Sequence, residues 1–422
     1  MSNKHASRTN GKAVAQHRMN TLRHPNIYHF SYAAISSLLM ATDYANATTL
    51  NQAVNDQLAT VSVPCERLLG GDSGSVLTGN LASICSRVVP FGVPSQESNI
   101  STTNSSSLSD QTLSLLKQKQ GKKKDQDKPE INIGTKWSFF ATAAGGTLNR
   151  DVTTEENGFD SHIVNLLAGS TYAVNVKNTL GAAIALQRHT GDYIGGGDFK
   201  DTASGIRLLE TYHPSEKFFL QAVGGFDSYS SQRTRFTSFD EYINGVLAFS
   251  QSGTPNADYS YHQTELSVLG GYNFSHNRFT LTPQLGLTWL VADYGSYKET
   301  GSSGLELNIY NDKRKSLQSS LGIQATDTLS THFAVIIPQI DARWKHEYAD
   351  KSRQVNISFV EDNRNKMFSY DTQAADRDFF ELGAGVSFVY SHGIQSFVRL
   401  QTVLGQQAYH SAIATLGLNV EL

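Results

Sequence analysis

Only a few groups of residues in this sequence have the types and spacing that enzyme chemistry needs. The tetrapeptide Gly71-Asp72-Ser73-Gly74 matches the surroundings of a serine protease nucleophile. Such a serine needs a histidine base and an orienting aspartate, which that class of protease holds on a two-barrel scaffold. Fewer than 30 residues lie between Ser73 and the end of the export signal predicted below. That scaffold has no room here, so a protease site is not predicted.

Two further patterns could suggest chemistry. The triplet Gly195-Gly196-Gly197 could approach a phosphate, but no strand followed by a helix surrounds it, as phosphate binding requires. Four histidines are scattered through the second half without a matching set of partners: His162, His189, His262 and His392. We therefore predict no catalytic, cofactor-binding or metal-binding residue, and no enzyme activity.

The two cysteines, Cys65 and Cys85, lie in a segment with helical periodicity. Apolar residues recur there at steps of three and four on both sides of a glycine-rich turn at 70–74, which predicts a helical hairpin over 48–94. The cysteines would lie on the facing sides of that hairpin. In an exported protein an isolated pair favours a disulfide over two free thiols, and no further ligands for zinc lie nearby. Both states of the cysteine pair, a disulfide and two free thiols, remain alternatives.

The first 47 residues have the features of a secretory signal. A basic region is followed by the short apolar run Phe30 to Met40 and by Ala45-Asn46-Ala47, which is an A-x-A cleavage pattern. An ordinary disordered tail and a start at Met19 are the alternatives. Five bases and one acid precede this site, so the formal charge of −3 becomes −7 without them. Such an acidic chain is not expected to bind nucleic acid.

Residues 95–136 are rich in Ser, Thr, Asn, Lys and Asp, which predicts a polar linker that could thread the pore. One short helix is expected within it at 109–119. Lys122 to Lys124 could contact lipid phosphates or a negative pore wall, although a solvated linker is the favoured interpretation.

From Trp137 to the end of the chain, apolar and polar residues alternate with a period of two. The composition agrees with strands, since 34 Gly, 18 Tyr and 21 Phe stand against 4 Met. In residues 336–347, this alternation assigns Ile340 and Ala342 to one face and Asp341 and Arg343 to the other. No apolar stretch reaches the roughly 18 residues of a helical membrane span. A membrane protein of this kind must be a closed barrel.

The connections between the strands distinguish a membrane barrel from a soluble sandwich. About twelve strands are predicted over 137–422, and tight turns alternate with mostly longer polar loops at 190–202, 228–259, 293–314 and 349–377. An even strand number, with short turns at one end and long loops at the other, is typical of an outer-membrane barrel. Aromatic residues also gather near strand ends, where membrane interfaces favour them. We predict an all-β, transmembrane antiparallel barrel preceded by a short helical or disordered segment.

Several segments carry a family resemblance. The runs Gly270 to Phe274, Leu281 to Leu287, Tyr297 to Gly301 and Phe380 to Val386 resemble the β-domain of bacterial autotransporters, the proteins of type V secretion. The C-terminus is similar to the signal read by the barrel-assembly machinery, on these residues: Thr415, Gly417, Val420 and Leu422. The resemblance covers roughly 137–422 and implies a barrel with both ends of the chain in the periplasm, a pore, and export of the preceding segment.

The function expected from these observations is transport. The leading hypothesis is a non-enzymatic translocator barrel of the bacterial outer membrane that exports or displays its short N-terminal segment, since about 90 residues lie between the predicted signal and the barrel. Outer-membrane lipid, lipopolysaccharide, periplasmic chaperones and the assembly machinery are the expected partners. The alternatives are a stand-alone pore or adhesin with a periplasmic hairpin, or a hydrolase whose residues meet only across the strands.

Overall fold

The structure, a computed structural model, describes residues 137–153, 156–215, 217–243, 246–362 and 366–421. The predicted signal (1–47), hairpin (48–94), linker (95–136), the cysteine pair Cys65 and Cys85, and Leu422 lie outside the described residues. Within the described part, no helix is long and apolar enough to cross a membrane.

Twelve long antiparallel strands form a barrel in the described part of the chain. Each pairs with its neighbour in sequence, and the first pairs with the last from Ser138↔Glu421 to Arg150↔Tyr409, which closes the ring. The strands are β1 (Trp137–Arg150), β2 (Phe159–Ala173), β3 (Asn178–Tyr193), β4 (Gly197–Tyr212), β5 (Phe218–Arg235), β6 (Asn256–Tyr272), β7 (Phe279–Tyr294), β8 (Asp312–Asp327), β9 (Ala334–Glu347), β10 (Asp378–Tyr390), β11 (Ile394–Leu404) and β12 (Tyr409–Glu421). The predicted all-β barrel of about twelve strands is confirmed.

The two ends of the barrel differ in their connections. At one end, called here the turn end, β1 begins, β12 ends and short turns join the strands, including the single turn of 3-10 helix Ser391–Gly393. The other end, the loop end, has the long connections 236–255, 295–311 and 348–377. The first of these contains a hairpin of Thr237–Ile243 and Val246–Gly253.

Two of the predicted loops are shorter than expected. Residues predicted as loop at 190–202 belong mostly to β3 and β4, and the loop predicted at 228–259 is only 236–255. Polar residues such as Asp192 and Lys200 continue the alternation beyond the apolar zone. A polar strand end pairs its backbone as well as an apolar one, so composition alone placed the loop boundaries wrongly.

The pattern of burial is the inverse of that in a soluble protein. Leu208, Leu285 and Ile340 are 63%, 65% and 63% exposed, whereas Arg207 and Gln263 are fully buried. Apolar side chains therefore cover the outer surface, as a barrel that crosses lipid requires. The lumen is lined by polar and charged side chains together with a cluster of buried apolar ones that includes Phe140, Phe219 and Phe397. The faces predicted for Ile340, Asp341 and Arg343 are those observed.

Aromatic side chains lie on the outer surface near both ends of the barrel. Trp137 and Phe274 are exposed towards the turn end, and Trp344 and Tyr348 towards the loop end. Rings with an apolar body and a polar edge favour the two headgroup levels of a membrane. Tyr294 is one of the aromatic residues near strand ends for which the sequence predicts a membrane-interface position. It instead faces the lumen and is 8% exposed, because its position in the alternation places it inside.

The candidate functional site in the lumen

One wall of the lumen is lined by charged side chains of β9, β10 and β11. Asp341 accepts two hydrogen bonds from Arg399, at 2.7 and 2.9 Å, and lies 3.8 Å from Arg343. Glu381 lies 3.2 Å from Arg343 and 2.6 Å from Lys345. All five side chains are at least nine-tenths buried. Positive and negative groups thus alternate across three strands, as a lumen with buried charges requires.

A second ion pair lies across the lumen on β4 and β5. Arg207 donates two hydrogen bonds of 2.8 Å to Asp227. Two glycines of the same strands face this pair: a β-carbon at Gly205 would lie 1.9 Å from Asp227 Oδ1, and one at Gly225 would lie 3.0 Å from the Arg207 side chain. These glycines leave the space that the bidentate pair occupies.

Stacked tyrosines line the lumen nearer the loop end. The rings of Tyr229 and Tyr261 stack at 4.5 Å, and those of Tyr259 and Tyr297 at 4.0 Å. The guanidinium of Arg233 lies 5.6 Å from the centre of the Tyr259 ring and 3.7 Å from Asp201. Stacked rings with a cation over one face form a compact, preformed wall.

The structure places two partners near one of the four histidines, which the sequence did not indicate. Ser161, His189 and Asp201 face the lumen from β2, β3 and β4, and His189 is directly opposite Asp201 in the sheet. The His189 Nε2 atom lies 2.8 Å from the Ser161 hydroxyl oxygen. Inward positions on successive strands are the only signal that could have suggested this set.

This serine, histidine and aspartate lack two features of a nucleophilic site. The His189 Nδ1 atom has no hydrogen-bond partner, and the Asp201 carboxylate lies 3.7 Å from Arg233, so Asp201 does not orient the imidazole as a base. Ser161 also donates to the carbonyl oxygen of Leu148, and it is only 2% exposed. The other three candidate histidines lie elsewhere: His162 and His262 point outwards, and His392 lies in a turn.

Among the described residues, no three His, Cys, Asp or Glu side chains lie close enough to hold a metal ion. The described lumen is lined by the ion pairs, the tyrosines, amides and an apolar cluster around Phe140, Phe219 and Phe397.

A family model named "Autotransporter beta-domain" matches residues 139–401, from the first strand of the ring into β11. The match covers more than half of the chain. This chain belongs to the autotransporter β-domain family. Autotransporter β-domains are translocator barrels of the outer membrane, and export of an N-terminal segment is their general role.

A solved translocator barrel has the same fold. The translocator domain of the autotransporter NalP from Neisseria meningitidis is 14% identical, with a TM-score of 0.55 over 76% of this chain and 97% of that chain. The β-domain of the Bordetella autotransporter BrkA is also 14% identical, with a TM-score of 0.49 over 68% of this chain and 99% of that chain. At this identity, the likeness to NalP concerns the fold alone.

One curated protein, Lipase 1 of Photorhabdus luminescens, is 20% identical over 182 residues. The match covers 43% of this chain and 27% of that protein. The chain thus spans about a quarter of the length of the curated relative.

The residues of the predicted assembly signal lie on β12, apart from Leu422. Thr415 and Gly417 face the lumen, and Val420 lies on the other face of the strand. A β-carbon at Gly417 would lie 1.9 Å from the ring of Phe397. Packing inside this autotransporter barrel therefore requires a glycine at position 417, whether or not the assembly machinery reads it. The assembly signal itself stays a prediction.

Proposed function

We propose that this autotransporter barrel lies in the bacterial outer membrane and exports or displays the segment at 48–136. The observation that carries this proposal is the inverted burial of a closed ring, with Leu208 and Ile340 outside and Arg207 and Asp341 inside. Trp137 begins β1 at the turn end. A preceding segment displayed at the loop end must therefore cross the lumen.

The polar wall suits a translocated chain better than an apolar wall would. Arg399, Arg343 and Lys345 are each held by carboxylates across strands β9 to β11, so this part of the wall offers both signs of charge to a passing peptide. Lipid and lipopolysaccharide outside, and periplasmic chaperones and the barrel-assembly machinery during insertion, are the partners that this location would supply.

Display of the N-terminal segment can be tested with its own cysteines. After reduction of intact cells, a bulky impermeant maleimide should label Cys65 and Cys85, because display places both residues outside the outer membrane. Two single-cysteine controls, each with Cys65→Ser and Cys85→Ser, calibrate the result. Asn356→Cys in an exposed loop-end position should be labelled, and Lys177→Cys at the turn end should not.

Protection of Cys65 and Cys85 under conditions that label Asn356→Cys would contradict display. That result would favour the alternative of a stand-alone pore or adhesin whose N-terminal hairpin stays in the periplasm.

We further propose that the chain is not an enzyme. The nearest candidate for a catalytic serine, Ser161, is buried, and its hydroxyl donates a hydrogen bond to the carbonyl oxygen of Leu148. A fluorophosphonate, which labels activated serines, should leave the purified barrel unmodified. Hydrolysis of short-chain esters by the preparation should be equal for the parent chain and Ser161→Ala. Labelling that disappears in Ser161→Ala would instead establish a hydrolase within the barrel.

A further inference from the structure

Two loops of the loop end are joined into one small sheet. Within the loop at 295–311, Tyr297–Lys298 pairs with Leu307–Ile309. Leu307–Ile309 then pairs with Gln354–Phe359 of the loop at 348–377, and that strand pairs with Phe368–Asp371. We call residues 295–311, 348–362 and 366–377 the lid. The loops follow different strands, β7 and β9, so the sheet holds together two separate parts of the barrel rim.

The lid has an apolar face that is shielded from solvent. Val355, Ile357 and Phe359 are 0%, 0% and 1% exposed; of the residues that alternate with them, Gln354 and Asn356 are exposed and Ser358 is buried. A loop that extended freely into solvent could not bury three successive positions on one face so completely. Leu307 and Ile309 on the paired strand are buried as well, so the lid is a packed element.

One side of the lid is fastened to β5 and β6. Arg235, the last residue of β5, donates to both carboxylate oxygens of Glu299 at 2.7 Å and to the carbonyl oxygen of Leu305 at 2.7 Å. Thr300 and Asn256, the first residue of β6, exchange backbone hydrogen bonds of 2.8 and 2.9 Å. Arg235 and Glu299 are both buried, so solvent weakens this pair little.

The opposite side of the lid is fastened near β1 and β12. The backbone N–H of Gln373 donates to the Glu156 carboxylate at 3.1 Å. The Gln373 side-chain oxygen accepts a hydrogen bond from Arg150 at the end of β1. The Gln407 amide nitrogen, between β11 and β12, donates to Asp376 at 3.0 Å. The contacts of the lid thus run from β5, through its own four strands, to β1.

A buried carboxylate also stabilises the lid from within. Glu306 accepts hydrogen bonds from the Ser303 amide and hydroxyl at 2.7 and 2.9 Å and from the Gly304 amide at 2.9 Å. Burial raises the pKa of this carboxyl group, but the hydrogen bonds outweigh burial and leave the pKa below its ordinary value. The loop at 295–311 is consequently a folded element that connects Glu299 rigidly to the small sheet.

We propose that the lid closes the outer end of the barrel in the resting state, and that the ion pair between Arg235 and Glu299 is the latch that keeps it closed. A chain or solute leaving through the lumen must first separate the lid from β5. Loss of Glu299 leaves the buried Arg235 guanidinium without its carboxylate. Because an unpaired buried charge is strongly destabilising, the closed lid becomes less stable than the open one.

The latch can be tested by the reactivity of a buried lid position. The full chain with Cys65→Ser, Cys85→Ser and Val355→Cys is purified in detergent, and the rate of modification by a soluble maleimide is measured. Val355→Cys should react roughly a hundredfold more slowly than the exposed control Asn356→Cys, because reaction requires opening. Adding Glu299→Ala should raise its rate by about a hundredfold or more, while the rate of Asn356→Cys should not change.

Two further variants separate the latch from general damage. Asp293→Ala removes the partner of Lys313 from an exposed pair just before the same loop, and it should leave Val355→Cys protected. Glu299→Gln keeps the shape and one acceptor oxygen, so the rate should lie between those of the parent chain and Glu299→Ala. Each variant is first checked for the heat-dependent gel mobility of a closed barrel.

Three results would overturn the proposal. The first is that, in chains that keep Glu299, Val355→Cys reacts as fast as Asn356→Cys. The second is continued protection of Val355→Cys in a closed barrel that carries Glu299→Ala. The third is equal acceleration by Asp293→Ala and Glu299→Ala. None of these outcomes depends on which segment the barrel exports.

Discussion

Ile340→Arg should lower the free energy of unfolding of the barrel by about 2 to 4 kcal/mol, the cost of an arginine on the lipid face at the membrane midplane. Ile340 lies at the middle of β9 and is 63% exposed on the outer surface. Ala342→Arg, two residues further along the same face, should have a similar effect. A guanidinium at either position has no protein partner and can reach water only by distorting the surrounding lipid.

The measurement is unfolding by urea in lipid vesicles, with heat-dependent gel mobility as the readout of closure. The control is Ser260→Arg, an exposed outward position on β6 near the loop end, which should cost at most about 1 kcal/mol because the headgroup level tolerates charge. Equal tolerance at Ile340 and Ser260 would mean that the outer surface of β9 does not meet hydrocarbon.

The sequence could predict the faces of β9, because the period-two alternation is a local property of the chain. Ile340 and Asp341 are neighbours in sequence and must point to opposite sides of any sheet. The inverted burial could be predicted only with the additional argument from loop lengths. A soluble sandwich with the same alternation would place Ile340 inside and Asp341 outside.

The partners of the buried charges could not be predicted in the same way. Asp341 binds Arg399, which is 58 residues away and on a strand that does not pair with β9. The glycine pattern of the family resemblance has a physical reason at this point: a β-carbon at Gly383 would lie 2.5 Å from Arg399 and 2.7 Å from Asp341. A glycine on the intervening strand lets the two side chains meet across it.

The lid shows a second limit of prediction. The sequence indicates two long polar loops, but Leu307 and Phe359 are paired across 52 positions, and short strands of two to six residues carry little periodic signal. The approach of Ser161 and Asp201 to His189 could not be predicted either, because it depends on the register of three strands.

Asp341→Ala should lower the free energy of unfolding by about 3 to 5 kcal/mol, because it leaves the Arg399 guanidinium buried and without its carboxylate. Arg399 is 5% exposed and directs two hydrogen bonds to Asp341. The same unfolding assay applies. Asp293→Ala, which removes the partner of the exposed Lys313, should cost no more than about 1 kcal/mol and serves as the matched control.

The double variant Asp341→Ala with Arg399→Met distinguishes a dry lumen from one filled with water. In a dry lumen, removing both partners eliminates the unpaired charge, so the double variant should be more stable than Asp341→Ala alone. In a lumen filled with water, Arg399 would be hydrated after the loss of Asp341, and the single variant would cost less than about 1 kcal/mol, like an exposed pair. A small single effect without recovery in the double variant would therefore contradict the tightly packed, charge-paired wall of β9 to β11 and indicate an open aqueous channel.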